Sequence, residues 1–274
     1  MKFNVGEWVM KPGVTSYNCE QIRQVRVAQD GKSVYLYAVS YRADVRGLDG
    51  PSLELTISSP RRDVLRVQAC HFRGSRAKMP SFELNDDALT LAIEQNETEL
   101  RVSSGEMTLE IAFRPCAFRF FYRGKRLTAV GDRFGSPMLS YITTNEGLFM
   151  RGQLEVGVGE KVYGLGERFT AFVKNGQTVD IWNEDGGTSS EIAYKNIPFY
   201  LTNRGYGVLV NDPGPVSFEV CTEAATKVQF SVPGEKLDFL VIGGGDAKGV
   251  LRAYTALTAG ELRPVAFVVV YHVV

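Results

Sequence analysis

Short runs in which apolar and polar residues alternate with a period of two dominate roughly the first 240 residues of the chain, and they constrain its fold most strongly. In SVYLYAV the alternation puts Val34, Leu36 and Ala38 on one face. The same pattern recurs in LELTISS, VLRVQAC, ALTLAIEQ, ELRVSS, MTLEIAF, FRFFYRG, GVLVN, VSFEV, KVQFSV and LDFLVIG. Each run is typical of a strand with one buried face. So many strands predict an all-β sandwich or barrel.

Turn-forming residues separate several of these runs. Asp30-Gly31 precedes SVYLYAV, Arg123-Gly124-Lys125 follows FRFFY, and Pro213-Gly214-Pro215 follows VLVND. Glycine supplies the left-handed backbone conformation of tight turns and proline presets the turn φ. The turns therefore favour antiparallel pairing between neighbouring runs.

One helix is predicted, late in the chain, over DAKGVLRAYTALT. Asp246 is a suitable N-cap, and Val250, Leu251, Tyr254 and Leu257 form an apolar stripe at helical spacing. The helix follows all the alternating runs, as expected for a link between a β-domain and another unit.

Composition argues against several classes of function. The chain has 274 residues, with 31 Lys and Arg against 31 Asp and Glu, and no block of like charges, so no nucleic-acid or anionic-membrane partner is predicted. No apolar run is long enough to span a membrane. The sequence does not open with a secretory signal, and a cytoplasmic location is expected.

Metal and histidine-based chemistry are also disfavoured. Cys19, Cys70, Cys116 and Cys221 lack the close spacing of zinc or redox pairs, so reduced thiols and no metal site are predicted. Of the two histidines, only His71 lies outside the C-terminal tail, and a structural role is expected for it.

Two glycine-rich motifs predict no cofactor. Gly243-Gly244-Gly245 runs into the predicted helix but lacks the Lys-Ser/Thr of a phosphate-binding loop, so a structural strand-to-helix turn is expected. Gly164-Leu165-Gly166 lacks the third glycine and the following helix of a dinucleotide fingerprint.

The stretch YGLGERFTAFVKNGQTVDIWNEDGGTSSEIAYKNIPFY, residues 163–200, differs from the rest of the chain. Its Trp182, Asn183 and Asp185 combine an aromatic ring with carboxylate and amide groups, as sugar sites do. Residue types alone leave a second reading open, in which Asp185 forms a tight turn and Trp182 belongs to the core. Glu167 and Arg168 are expected to pair and lock the glycine-rich turn.

Four separated blocks make the chain similar to the N-terminal β-sandwich of glycoside hydrolase family 31, particularly in bacterial α-xylosidases. They are Tyr163-Gly-Leu-Gly-Glu-Arg168, Trp182-Asn183-x-Asp185, Tyr194-Lys-Asn-Ile-Pro-Phe-Tyr200 and Gly205-Tyr-Gly-Val208. The resemblance implies an antiparallel, galactose-mutarotase-like supersandwich over residues 1–245. Residues 246–274 would then hold a linking helix and the start of a missing (β/α)8 barrel.

The resemblance also implies a function. Family members cleave α-linked sugars with retention, using two aspartates on the barrel, which must lie roughly 5–5.5 Å apart. This implies no catalytic residue and no cofactor in the present chain, with α-linked xylosides and the missing catalytic barrel as its partners. Asp185 is implied to touch substrate from a loop over the barrel mouth, supported by Trp182 and Asn183.

The tail ELRPVAFVVVYHVV does not match the family's first barrel strand, and a truncated or frame-shifted reading frame is one expectation for it. Its apolar character leaves a homo-oligomer open. A free-standing carbohydrate-binding β-sandwich is the alternative function. A mutarotase-type epimerase ranks last, because it needs a histidine facing a carboxylate in a sheet concavity and His71 is the one candidate outside the tail.

Overall fold

The computed structural model describes residues 2–5, 9–42, 50–74, 82–131, 139–182 and 195–258, which form eighteen β-strands and one α-helix. In chain order the first nine strands are β1 (Thr15–Val27), β2 (Ser33–Arg42), β3 (Ser52–Ser58), β4 (Val64–Cys70), β5 (Ala92–Gln95), β6 (Glu99–Ser104), β7 (Met107–Phe113), β8 (Cys116–Tyr122) and β9 (Lys125–Val130). The other elements are β10 (Leu139–Thr144), β11 (Gly147–Glu155), β12 (Val162–Gly164), β13 (Gln177–Ile181), β14 (Phe199–Thr202), β15 (Tyr206–Val210), β16 (Val216–Val220), β17 (Lys227–Pro233), β18 (Lys236–Gly243) and α1 (Ala247–Thr258).

The strands form two antiparallel sheets. The larger has thirteen strands in the order β12-β14-β15-β18-β4-β3-β2-β1-β10-β11-β17-β16-β13, and the smaller is the five-stranded meander β5-β6-β7-β8-β9. β1 and β4 of the large sheet pack on β7 and β8 of the small one, and β18 also contacts β11 and β17 within the large sheet. The structure therefore confirms the predicted all-β antiparallel sandwich with one C-terminal helix.

The hydrophobic core lies between the sheets and follows the predicted alternation. Val34, Leu36 and Ala38 of β2 are buried together, and the small sheet contributes Phe118 and Phe120. Burying each such side chain contributes about 1.5–3 kcal/mol. The sandwich is thus stabilised mainly by apolar faces that the sequence pattern already indicates.

The core also holds two cysteines, one from each sheet. The Sγ atoms of Cys19 on β1 and Cys116 on β8 lie 3.5 Å apart, and both side chains are fully buried. All four cysteines are free thiols, as predicted, although Cys70 and Cys221 are half-buried. The hydrogen bond with Cys19, followed by burial, raises the pKa of the Cys116 thiol well above its usual value.

The prediction of a single buried face fails for the second half of the chain. Every residue of β15 and of β16 is buried. The outer face of β15 is covered by α1, whereas the outer face of β16 carries the polar residues Ser217 and Glu219, which are also covered. These strands are therefore buried on both faces.

Helix α1 starts where the sequence predicts. The carboxylate of Asp246 accepts a hydrogen bond from the backbone N–H of Gly249 over 2.7 Å, which is N-cap geometry. Val250 and Leu257 are fully buried, and the Tyr254 ring stacks on Phe199 at a centroid distance of 4.0 Å. Leu251 is 44% exposed, so its predicted place in the apolar stripe is wrong. It lies one residue, about 100°, from Val250, outside the packed arc.

The glycine run before α1 is a structural turn, as predicted. The backbone N–H groups of Gly244 and Gly245 both donate to the carbonyl oxygen of Gly205, over 3.1 and 2.9 Å. A Cβ at Gly244 would lie 2.1 Å from the backbone nitrogen of Val250, which no side chain can accommodate. The glycines therefore serve close backbone packing between strand and helix.

Candidate functional site

The sequence-predicted site begins at Trp182, directly after β13. The Trp182 side chain is 43% exposed, which argues against the reading that makes it a core residue. Asn183 and Asp185 lie in segment 183–194, outside the described residues, so their positions stay a prediction. The structure does describe how both ends of this segment are held.

Arg168 joins the two ends. Its guanidinium donates to the carbonyl oxygen of Asp180 over 3.0 Å, to the carbonyl oxygen of Leu165 over 3.3 Å and to the side-chain oxygen of Asn196. Asp180 precedes segment 183–194 and Asn196 follows it. A planar guanidinium with several fixed donors is well suited to such a three-way contact.

Asn196 continues the connection. Its side-chain amide donates to the carbonyl oxygen of Trp182 over 2.9 Å. Next to it, the Lys195 Nζ atom lies 3.4 Å from a carboxylate oxygen of Glu167, and the backbone N–H of Glu167 donates to the Lys195 carbonyl over 3.0 Å. Glu167 and Arg168 thus lock the glycine-rich turn to the far end of segment 183–194, but they do so through Lys195 and Asn196 and not through the expected pair with each other. We call the set Leu165–Arg168, Asp180–Trp182 and Lys195–Asn196 the anchor.

The anchor is closely packed because of its glycines. Gly166 has φ +80°, and a Cβ there would lie 2.0 Å from the carbonyl oxygen of Lys195. Its neighbour Leu165 is fully buried and itself adopts φ +66°, a conformation rarely seen outside glycine, asparagine and aspartate. Buried packing holds this turn in its unusual backbone geometry.

The anchor also links the two edges of the large sheet. β12 and β13 are the first and last strands in the strand order. Arg168, which lies four residues after β12, nevertheless donates to the carbonyl oxygen of Asp180 in β13. Lys174, on the chain between the two strands, donates its N–H to the Val162 carbonyl of β12 over 2.8 Å. Edge strands present unpaired backbone groups, and the anchor satisfies some of them.

Exposed aromatic side chains surround the anchor. Phe169 is 70% exposed and Phe172 is 79% exposed, in addition to Trp182. The Phe172 ring packs against Tyr163 of β12 at a centroid distance of 5.2 Å. Exposed apolar side chains that cluster on a surface are typical of an interaction site.

A row of polar side chains crosses six neighbouring strands on the outer face of the large sheet. In register it comprises Asn18, Ser140, Arg151, Ser231, Ser217 and Asp180. The Arg151 Nη2 atom donates to Ser16, Ser140 and Asn18, whereas Nε and Nη1 have no hydrogen-bonding partner among the described residues. Complete burial lowers the pKa of Arg151 to about 10. Ser217 donates to the Asp180 carboxylate, so the row ends at the anchor.

The N-terminal residues cover part of this row. The backbone N–H of Lys2 donates to the Glu219 carboxylate over 2.5 Å, and the Phe3 ring packs edge-on against Phe149 of β11 at 5.5 Å. Burial, followed by the proximity of Glu219, raises the pKa of Glu223 to about 7. Sequence reasoning missed this cluster, because alternating polar residues indicate a solvent-exposed face unless a distant segment covers them.

His71 makes contacts that fit the structural role expected for it. Its Nδ1 atom lies 2.9 Å from a carboxylate oxygen of Glu235 in the β17–β18 turn, and its ring stacks on Tyr141 at a centroid distance of 3.9 Å. The epimerase hypothesis requires such a pair in a sheet concavity, whereas His71 and Glu235 lie where β4 ends beside the β17–β18 turn. The stacked ring and the backbone bond from His71 N–H to the Glu235 carbonyl tie the end of β4 to that turn.

Within the described ranges, no group of three or more His, Cys, Asp or Glu side chains is arranged to hold a metal ion. No helix in that part of the chain combines the length and apolarity needed to cross a membrane.

Solved structures share this architecture. An uncharacterised protein from Listeria monocytogenes, in complex with glucose, magnesium and calcium, superposes with a TM-score of 0.73 at 19% identity, covering 88% of this chain and 22% of that one. An α-xylosidase from a soil metagenome, complexed with xylose, superposes with a TM-score of 0.67 at 16% identity. The superposition covers 86% of this chain and 34% of that α-xylosidase. At these identities the likeness concerns the fold alone.

Sequence comparison is more specific. An α-xylosidase of Emericella nidulans is 38% identical over 280 residues, and the α-xylosidase XylQ of Lactiplantibacillus pentosus is 38% identical over 271 residues. These alignments cover 94% and 97% of this chain but 35% of each relative, so the chain spans about a third of their length. A family model, described as the glycosyl hydrolase 31 N-terminal galactose mutarotase-like domain, matches residues 54–219. Since that match covers more than half of the chain, the chain belongs to this family of glycosyl hydrolase 31 N-terminal domains.

Proposed function

We propose that this chain is the N-terminal domain of a retaining α-glycosidase of the α-xylosidase type, and that segment 183–194 contributes Asp185 to the sugar pocket of a catalytic barrel. The observation that carries the proposal is the 38% identity to two α-xylosidases across almost the whole chain. Because the chain spans about a third of those proteins, the catalytic pair of aspartates would lie in the remaining two thirds.

The anchor supports the proposed role of segment 183–194. Arg168 and Asn196 connect residue 182 to residues 195 and 196, so the segment starts and ends at fixed points. A binding residue stabilises a substrate most when its position is set before the substrate arrives. A carboxylate held there would accept hydroxyl hydrogen bonds worth about 1.5–3 kcal/mol each.

The exposed aromatic side chains support the proposed partner. Phe169, Phe172 and Trp182 lie on or beside the anchor with 43–79% of their surface exposed. Contact with a catalytic barrel would bury this apolar surface, at roughly 25 cal/mol per Å². The proposed domain interface is therefore the surface around the anchor.

The test is a chimera in which this chain replaces the aligned N-terminal region of XylQ. We expect the chimera to hydrolyse 4-nitrophenyl α-xyloside, and Asp185→Asn to lower kcat/KM about tenfold to a hundredfold, mainly through KM. Glu97→Gln, in the exposed β5–β6 turn, is the matched control and should leave both constants unchanged.

Two results would contradict the proposal. Hydrolysis by the isolated chain would show that the catalytic pair is present in it, and an Asp185→Asn chimera with an unchanged KM would remove the role of Asp185. Tight saturable binding of xylo-oligosaccharides by the isolated chain, with an inactive chimera, would instead favour the free-standing binding module.

A further inference from the structure

A groove of about 420 Å³ lies on the outer face of the large sheet, over β1, β2 and β3. Its volume falls within the range of about 300–1,000 Å³ that is usual for small-ligand sites. The polar and aromatic side chains that line it are Gln24, Arg26, Tyr35, Tyr37, Glu54 and Arg73. None of them belongs to the anchor or to the buried polar row.

The pairing of β1 with β2 is irregular beside the groove. The register of β1 against β2 shifts between Ile22 and Gln24, at the point where β1 enters the groove. A bulge bends its strand and increases the local twist. The otherwise open face of three paired strands is therefore curved where these side chains project.

Strand register places the side chains in two rows. Tyr37 lies between Gln24 on one neighbouring strand and Glu54 on the other, and Tyr35 lies beside Arg26. The Tyr37 side chain is 41% exposed, so it presents an accessible aromatic surface. The Arg26 guanidinium lies 4.6 Å from the centroid of the Tyr35 ring, which holds both side chains in a stacked arrangement.

The polar groups offer both donors and acceptors, and the net charge of the lining is that of Arg26 alone. Arg73 donates through Nε to the Glu54 carboxylate, and these two charges compensate each other. Gln24 adds an amide that donates and accepts. Neutral sugars are recognised by this combination, because C–H faces of a pyranose pack on an aromatic ring while planar polar groups bond the hydroxyls.

We propose that the groove over β1–β3 is a binding site for a neutral oligosaccharide, with Tyr37 as the stacking residue and Gln24, Glu54 and Arg73 as hydroxyl partners. The site is separate from the anchor, since β2 is the seventh of thirteen strands and the anchor joins the two edge strands. It would hold a saccharide chain on the outer surface of the domain. The proposal draws on the proposed function only for the class of ligand.

The test titrates this chain with xylotetraose, cellotetraose and maltotetraose up to about 10 mM while following selectively labelled tyrosine ring signals by NMR. We expect saturable shifts of the Tyr37 and Tyr35 signals with at least one of the three, at a millimolar Kd. Tyr37→Ala should weaken that binding at least tenfold. Tyr37→Phe, which keeps the ring, should retain it within about threefold.

Control variants keep the test decisive. Phe82→Ala removes an aromatic side chain that is 56% exposed and outside the groove, and should change nothing. Glu54→Gln tests the polar partners without removing the ring and should weaken binding at least threefold. Trp182→Ala should leave groove binding intact.

Three results would overturn the site: no shift with any tetrasaccharide, a preference for oligogalacturonate over all three neutral probes, or binding lost in Trp182→Ala but kept in Tyr37→Ala. If the chimera is active but the groove binds no tetrasaccharide, this inference alone is refuted. If the groove binds a tetrasaccharide but the chimera is inactive, the proposed function fails and this inference stands.

Discussion

The side-chain amide of Asn196 donates a hydrogen bond to the carbonyl oxygen of Trp182 over 2.9 Å, although the two residues are 14 positions apart and lie on opposite sides of segment 183–194. The same side chain accepts from Arg168, which in turn bonds the β13 backbone. One asparagine and one arginine therefore fix both ends of the segment and connect the two edges of the large sheet.

Replacing Arg168 with alanine should destabilise the protein by about 2 kcal/mol or more, because several carbonyl and amide oxygens lose a charged donor. Urea unfolding followed by circular dichroism measures the change. Arg62→Ala is the matched control: Arg62 is exposed and its ion pair with Glu106 spans 3.9 Å, so a change within about 0.5 kcal/mol is expected. Equal effects of the two substitutions would refute the structural role of the Arg168 contacts.

Gly166→Ala tests the close packing at the anchor. The new Cβ would overlap the Lys195 carbonyl at 2.0 Å in a left-handed backbone conformation, so a cost above about 3 kcal/mol is expected. Gly176→Ala shares the left-handed conformation, with φ +85°, but has no atom within 4 Å, and should cost only about 1 kcal/mol. Thermal unfolding of the two variants should therefore differ clearly, and identical melting temperatures would contradict the packing argument.

Helix α1 offers a comparison between two leucines of the same helix. Leu257→Ala should cost about 2–5 kcal/mol, because it opens a cavity among buried side chains. Leu251→Ala should change stability by no more than about 0.5 kcal/mol, since Leu251 is 44% exposed. Guanidinium unfolding curves check both values. A loss of stability in Leu251→Ala as large as that in Leu257→Ala would contradict the outward-facing position of Leu251.

Glu223 should make stability fall as pH rises. Its pKa is about 7 in the folded state against an ordinary 4.5, so between these values the folded protein binds the proton that the unfolded chain has released. The free energy of unfolding therefore decreases from about pH 4.5 to about pH 7. Burial is the main cause of the raised pKa, followed by the hydrogen bond and the charge of Glu219, whereas the backbone N–H of Lys2 lowers the pKa.

The matching experiment is urea unfolding of Glu223→Gln at several pH values. The variant should lose this part of the pH slope, because its amide does not titrate, and should be at least as stable as the parent at pH 8. Glu97→Gln, in an exposed turn, should keep the parental slope. If Glu223→Gln keeps the parental slope, the decrease in stability between about pH 4.5 and pH 7 arises from other groups.

The alternating pattern predicts the fold well wherever burial on one face is the rule. The runs that become β2, β3, β4, β6, β7 and β8 were predicted from sequence and are strands with apolar residues facing the core. β1, β10, β11 and β13 were not. GLFMRGQLE in β11 carries Arg151 and Gln153 on a face that is buried, because segments distant in sequence cover it. A local pattern contains no information about such cover.

The candidate site was predicted only in part. Trp182 lies where segment 183–194 begins, the roles of Asn183 and Asp185 stay a prediction, and the quoted motif already contained Arg168 and Asn196. Their bond joins residues 28 positions apart, because the pairing of β12 with β14 places Gly164 opposite Tyr200. That pairing is long-range in sequence, so the partners of Arg168 could not be read from its neighbours.

The contact between Lys2 and Glu219 joins residues separated by 217 positions. A ribosome adds about 5–20 residues per second, so Glu219 is synthesised roughly 10–40 s after Lys2. Until then the buried row of Arg151 and its neighbours is open to water, and the opening residues remain available to chaperones. Closure of the N-terminal segment over β16 is therefore expected late in the folding of this domain.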